Sequence, residues 1–327
     1  MPYIPVAHPP QAEVLASAER RWQALIEAKP DLQAAVNLQR RLLTLVIDLA
    51  RTIEGGRLPR LSLPAKYLAA KLSRGVPVLS GEPIPLPTAL LKPALVRFCA
   101  ELAAGGAGDV ASHIGAAIES GRVDAGSLLT ASLARDHEAI RTGATHMGLA
   151  PDLVWLVAEL GVGPVAHALQ RTLCATPGLG ASGESGGPLA EALAAWNHGY
   201  CPACGSWPAL AEVVGGHRLL RCAFCAATWE RTIYACVYCD EQGEAFITAA
   251  PGEERTDRRT ELCSSCGAYL KTIDTAEISP FPLVAIADME TMDLDIAAMG
   301  HHYGRPPLRE FKSGSRLKTS DLSRPEP

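Results

Sequence analysis

Residues 201–239 read CPACGSWPALAEVVGGHRLLRCAFCAATWERTIYACVYC, and CSSC follows at 263–266. Eight of the ten cysteines therefore fall into four CxxC pairs, Cys201/Cys204, Cys222/Cys225, Cys236/Cys239 and Cys263/Cys266, with 17, 10 and 23 residues between successive pairs. Two thiolates separated by two residues chelate one ion from a single tight turn, and a second pair completes a tetrahedral site with metal–sulfur bonds of about 2.3 Å. Four such knuckles predict two metal ions per chain. A redox-active CxxC normally occurs singly, at a helix start in a βαβ setting, and no such setting surrounds these. The simplest pairing is sequential, first with second and third with fourth, because each 17- or 23-residue insert can return the chain to its own site as a hairpin. An interleaved, cross-braced pairing remains open. Thiolate softness narrows the ion to iron or zinc, and the spacing does not separate them.

Around the knuckles the texture is that of short strands and tight turns. Six of the chain's 17 aromatics (Tyr200, Trp207, Phe224, Trp229, Tyr234, Tyr238) lie between residues 200 and 238, among β-branched residues. Between residues 201 and 310 there are nine Lys and Arg against sixteen Asp and Glu, a balance of 9 − 16 = −7. Phosphate-binding modules need the opposite sign, so nucleic acid is not an expected partner even though cysteine ribbons often bind it.

Upstream, the sequence reads as helical to about residue 175. Asp31 is placed to cap a helix in which Leu38, Leu42, Leu45, Leu49 and Ile53 recur at intervals of three and four on one face, ended by Gly55 and Gly56. Further helices are predicted near Thr88–Ala104, Asp109–Ser120, Leu128–Thr142 and Pro151–Cys174. The run ATPGLGASGESGGPL, 175–189, reads as a connector. Its Gly178, Gly180 and Gly183 match GxGxxG formally, but a helix rather than a strand precedes them. Helical character returns from Leu283 to Met299.

The expected class is α+β: an N-terminal all-helical domain followed by two tandem rubredoxin-like or zinc-ribbon tetracysteine metal modules and a C-terminal helix. The expected division is 1–197 for the helical domain, 198–235 for the first ribbon, 236–310 for the second with its helix, and 311–327 for a frayed tail. The opening MPYIPVAHPP does not read as a secretory signal. The apolar stretch Leu42–Ala50 is interrupted by Asp48 and falls far short of the roughly 20 residues a bilayer span needs. Together with unpaired metal-type cysteines, this predicts a cytoplasmic protein without a membrane span.

Other chemistry-bearing residues take structural readings. Cys99 and Cys174, in apolar helical contexts, read as core. His217, His301 and His302 read as surface residues, since neither tetracysteine set lacks a ligand. Asp288, Glu290, Asp293 and Asp295 cluster in the last helix and read as its solvated face rather than a paired-carboxylate site. No nucleophile elbow, HExxH, P-loop or kinase signature is present, and no catalytic residue is assigned.

CPACGSWP at 201–208, HRLLRCAFCAATWERTIYACVYC at 217–239 and ELCSSCGAYLKTI at 261–273 together resemble the formate dehydrogenase accessory protein (FdhE) family, and ADMETMDLDIAAMGHHYGR at 287–305 is similar to that family's final helix. The likeness joins the four knuckles, the GSxP after the first, Trp229 with Arg231 before the third, and the YLK after the fourth. One departure is Met289, where the family's last helix carries a second acid beside the position of Asp288. The resemblance implies a cytoplasmic accessory factor, not an enzyme, that binds the molybdenum-containing catalytic subunit of formate dehydrogenase. It also implies rubredoxin-like sites, favouring iron over zinc. The alternatives are a rubredoxin-type electron-transfer protein and, less favoured, a nucleic-acid-binding ribbon. The aromatic-rich first ribbon and the Tyr269/Leu270/Lys271 segment are candidate partner-contact surfaces, against a plainer reading as packing around the metal sites.

Overall fold

A computed structural model describes residues 4, 9–57, 61, 63–174, 187–252 and 257–306 of the chain. The connector expected at 175–189 falls mostly outside these residues, and the tail from 311 wholly so.

The helical part contains α1 (Gln11–Ala28), α2 (Gln33–Thr52), α3 (Ala65–Leu72), α4 (Thr88–Leu102), α5 (Gly108–Glu119), α6 (Ala125–Leu133), α7 (His137–His146), α8 (Pro151–Cys174) and α9 (Pro188–Ala194). At its centre is α8, apolar on nearly every side, as a helix must be when neighbours surround it. Val157, Val162, Val165 and Ala166 are wholly buried there, and Gly161 leaves room for Leu95 of α4, whose Cδ2 would collide with an added Cβ. By length and composition α8, rather than Leu42–Ala50, is the stretch that could cross a bilayer, but 72% of its most apolar part is buried inside the protein.

Two local expectations are corrected and one is extended. Asp31 lies in a 3-10 turn, Pro30–Leu32, and makes no cap hydrogen bond to α2. The face read on α2 is observed, with Leu49 and Ile53 in the main core and Leu38, Leu42 and Leu45 packed against it, but the helix has a second one: Val36, Leu43 and Ile47 join another core with Val14, Trp22 and Leu25 of α1. The helix expected over Leu128–Thr142 is two, because Arg135 turns left-handed (φ 61°) and Asp136 then caps α7 by accepting from the Ala139 N–H at 3.0 Å.

The cysteine-rich part forms one six-stranded sheet. Its strands are β1 (Pro208–Val214), β2 (His217–Cys222), β3 (Thr228–Glu230), β4 (Phe246–Ala249), β5 (Arg258–Cys263) and β6 (Ala268–Asp274), in the spatial order β3-β2-β1-β6-β5-β4. Gly215 and Gly216, with φ of 58° and 87°, make the two-residue turn between β1 and β2, a conformation that favours glycine at both positions. Neighbours are antiparallel except at the middle, where β1 runs parallel to β6 with Ala211 opposite Thr272 and Val213 opposite Asp274. That seam joins the two ribbons into one surface.

Two short helices, α10 (Val284–Glu290) and α11 (Met292–Gly300), follow the sheet, separated at Thr291. Leu283 and Ile286 enter the core of the α1–α2 hairpin, and Arg21 holds Glu290 through bonds of 2.9 and 2.6 Å. The expected class is therefore observed: a helical N-terminal region, a sheet carrying both cysteine sets, and C-terminal helix.

Charged groups are concentrated along the seam. Arg221 and Glu212 are both fully buried and paired, and each also bonds Ser279, Arg221 through its carbonyl and Glu212 through its N–H. Lys271, likewise fully buried, meets Asp288 at 2.8 Å and Asp295 at 2.7 Å, and Arg305 closes the cluster from outside. The four acids read as a solvated face are thus all engaged, since Glu290 pairs with Arg21 and Asp293 with Lys29 and Arg258. Burial favours the neutral form of Asp288, yet Arg305 and Lys271 outweigh it and hold the carboxyl below its ordinary value.

Lys271→Met should destabilise the protein at neutral pH by about 3 kcal/mol, the low end for breaking a buried ion pair, because both carboxylates keep some contact with water. Since Asp288 has a lowered folded-state value, its contribution is complete above the unfolded value of about 4 and fades as pH falls through the folded one. The deficit measured by urea denaturation should therefore shrink on acidification, and an equal deficit at neutral and acid pH would contradict the pairing.

Candidate metal centres

The four knuckles share one local device. The residue after each second cysteine is left-handed: Gly205 (φ 82°), Ala226 (54°), Asp240 (63°) and Gly267 (68°). That turn folds the chain back so that the N–H of the left-handed residue meets the first cysteine's carbonyl, at 2.9 Å for Gly205 to Cys201, 3.0 Å for Asp240 to Cys236 and 2.9 Å for Gly267 to Cys263. In the first three knuckles the first cysteine's N–H also donates to the carbonyl five residues on, Cys201 to Ser206, Cys222 to Ala227 and Cys236 to Glu241, each at 2.9 Å. Backbone N–H groups also point at sulfur: Ala203 donates to Cys201 Sγ, and both Phe224 and Cys225 donate to Cys222 Sγ, each at 3.4 Å. Such donors favour thiolate, the form that binds metal.

The strands then set knuckle against knuckle. The first opens β1 and the second leaves β2, with Pro208 in register with Cys222. The third precedes β4, and the fourth is itself the β5–β6 turn, with Cys263 opposite both Phe246 and Ala268. The result is two sets of four sulfurs, Cys201/Cys204/Cys222/Cys225 and Cys236/Cys239/Cys263/Cys266, each within 4.8 Å. The grouping is sequential, not interleaved.

Four sulfurs placed tetrahedrally at about 2.3 Å from one ion lie about 3.8 Å apart. The observed separations are 3.6 Å for Cys201–Cys225, 3.4 Å for Cys204–Cys222, 3.7 Å for Cys236–Cys266 and 3.5 Å for Cys239–Cys263. All are far beyond the roughly 2.05 Å of a disulfide. Geometry and donor chemistry together fit one soft ion in each cluster, and two ions can be held.

The clusters differ in setting. All four cysteines of the first are buried, and the helical part clamps it. Val78 and Leu79 donate backbone N–H groups to the Pro202 and Ala203 carbonyls at 2.9 Å, and His167 of α8 donates to the Cys225 carbonyl at 2.9 Å. Arg135 lies over the Phe224 ring at 4.1 Å, bonded to Glu159 at 2.6 Å. In the second cluster Cys239 and Cys266 are exposed. Burial pushes the Cys201 and Cys225 thiols well up. Burial opposes ionisation of Cys204 too, but hydrogen bonds from the other three thiols and the Arg135 charge hold it well below the ordinary thiol value. Four crowded thiols cannot all ionise without a cation among them.

Several residues stand elsewhere than the sequence suggested. Tyr269, Leu270 and Lys271, a candidate contact surface, are buried, as are Tyr200, Phe224 and Trp229 of the first ribbon, so packing is their role. Tyr234 is exposed. Cys99 and Cys174 are buried and His217, His301 and His302 are exposed, as read from the sequence. Sequence reasoning missed Arg135, Lys71 and Arg221; their burial depends on partners 24, 11 and 9 residues away, Glu159, Glu82 and Glu212, which carry no motif.

Fold and site define a class: a helical bundle fused to a single sheet that bears two tetracysteine centres. No family model matches the chain. A curated FdhE homologue from Rhizobium meliloti is 27% identical over 122 residues, 36% of this chain and 40% of that protein. One from Haemophilus ducreyi is 30% identical over 115 residues, 34% of this chain and 37% of that protein. These sequence matches thus span well under half of the relatives' lengths. The fold is similar to the crystal structure of the FdhE protein from Pseudomonas aeruginosa, with TM-score 0.56 and 21% identity, covering 94% of this chain and 98% of that one. In its cysteine-rich sequence and in its fold the chain is thus similar to FdhE proteins, as the knuckle motifs suggested.

On folded protein, a maleimide should label Cys239 and Cys266 first and leave the four sulfurs of the buried cluster unreacted until unfolding. Peptide mapping that finds Cys204 or Cys222 labelled at a similar rate would contradict the difference in burial.

Proposed function

We propose that this protein is a cytoplasmic accessory factor for formate dehydrogenase, binding its molybdenum-containing catalytic subunit during maturation, and that its eight knuckle cysteines ligate two ions. The observation that carries the reading is the FdhE likeness in sequence and fold of a chain whose chemistry-bearing side chains are concentrated in two tetracysteine clusters. A factor of this kind needs a recognition surface rather than a substrate pocket. The proposed division follows the chain: a helical domain to residue 197, one ribbon over 198–235 and a second over 236–310. In cells lacking the gene, the formate dehydrogenase polypeptide should persist while its activity is lost, and tagged protein should co-purify with the catalytic subunit. Full activity in the deletion strain would remove the proposal.

A second reading is one-electron transfer, favoured by the exposure of Cys239 and Cys266, which would bring an iron in that cluster close to the surface. Cyclic voltammetry should then show a reversible couple that Cys266→Ser abolishes; a protein filled with zinc, which has no accessible couple, would exclude it. The same exposure predicts unequal lability. A chelator should strip the ion of the second cluster well before that of the first, and simultaneous loss of both would contradict the assignment.

A further inference from the structure

The geometry points to the outer edge of β4 as a docking site for an extended polypeptide segment that alternates Lys or Arg with aliphatic residues. The inference deepens the maturation reading and rests on the partner there being a polypeptide.

A sheet edge left unpaired presents backbone donors and acceptors that can add another strand. Of the sheet's two edges, β3 is bonded by the Ile4 N–H, which donates to the Thr228 carbonyl at 3.0 Å. The other, β4, pairs with β5 alone, and none of the described residues pairs with its outer side. The direction of its backbone follows from register. Ala245 accepts from the Ser264 N–H at 2.8 Å, facing β5. Alternation along an antiparallel pair then turns the N–H and C=O groups of Phe246 and Thr248 outward. The Phe246 N–H folds back onto the Gly243 carbonyl at 3.0 Å, which leaves Phe246 C=O, Thr248 N–H and Thr248 C=O as the groups an added strand would meet.

Side chains on both faces of this edge suit apolar partners. Among the described residues there are eight exposed large hydrophobics, and two lie here: Tyr234 (55% exposed) and Ile247 (51%). Tyr234 lies against Phe246, with ring centroids 5.4 Å apart, and its hydroxyl bonds Thr248 Oγ1 at 2.7 Å, so one face of β4 carries an aromatic shelf. Ile247 stands on the opposite face, as strand alternation requires.

Charge selects the occupant. Residues 236–252, which contain β4 and lead into it, hold Asp240, Glu241 and Glu244 and no Lys or Arg. The cations packed nearby are already paired, Arg231 with Asp240 at 2.7 Å and Arg218, which lies over the Tyr234 ring, with Glu261. Native edges are commonly guarded by lysines that repel other strands; here Glu241 and the exposed Glu244 leave the flank acidic. A cationic strand with aliphatic side chains satisfies backbone, shelf and charge together, while an acidic one is repelled.

The test uses the full chain and a fluorescein-labelled synthetic peptide of about ten residues alternating Lys or Arg with Val or Ile, read by fluorescence polarisation. Two further peptides carry backbone N-methyl groups, one set on each edge. Methylation of one edge should weaken binding at least about ten-fold and methylation of the other should leave it unchanged, because only one edge faces β4. Thr248→Pro, which removes an outward donor, should lose binding similarly while retaining the wild-type melting temperature and metal content. Equal binding by all three peptides would overturn the proposal and reduce the contact to charge alone. Co-purification separates the two readings. If Thr248→Pro retains the catalytic subunit as wild type does, the edge is not the docking site although the maturation role stands. If wild type binds the peptide edge-specifically but never the subunit, the docking edge stands and the maturation role falls.

Discussion

The parallel pairing of β1 with β6 is the constraint on which the two cysteine clusters jointly depend. A ribbon of two or three strands buries too little to hold four sulfurs at fixed separations without an ion. Here each ribbon lends the other a neighbouring strand, and the seam aligns Ala211 with Thr272. The buried Arg221–Glu212 pair and Lys271 lie along this seam and tie it to Ser279, Asp288 and Asp295. Charges taken from water are costly unless paired, so the seam tolerates few other registers. The second ribbon is thereby built on the first, and the first on the helical bundle.

This dependence gives the two clusters different characters. The first sits within the main core: Cys201, Cys204, Cys222 and Cys225 share it with Leu95, Val162 and Leu169 of the bundle. Its carbonyls are held by Val78, Leu79 and His167. Gly199 adds a close crossing between the clusters, since a Cβ there would overlap the Val237 carbonyl oxygen of the third knuckle. The second cluster has solvent on one side. An ion in the first would therefore sit in a core that other contacts already support, whereas one in the second would lie beside the exposed Cys239 and Cys266.

The knuckles were legible because their chemistry is local: two cysteines and the turn after them occupy five residues. So were α4, α5 and α8, whose apolar periods and Gly or Pro boundaries are intact. Long-range pairing was not legible. Nothing in YLK announces that Lys271 is buried against Asp288 and Asp295, so the segment was left between contact surface and packing, and the acids read as a solvated face. The division of α6 from α7 was missed because the left-handed turn falls on Arg135, where a glycine would have been noticed. The two-sided burial of α2 was hidden because one side packs on α1 and α10, the latter some 240 residues further along the chain. In the site, the sulfurs were foreseen and the charges that surround them were not.

The central claim is that the eight knuckle sulfurs hold two ions. It is tested most directly by metal content per chain with a visible absorption spectrum, on protein purified without oxygen and without metal-affinity steps. The account predicts close to two ions per chain, either iron with the charge-transfer bands of a ferric tetrathiolate or colourless zinc. Folded protein carrying no ion, or a single one, would contradict it.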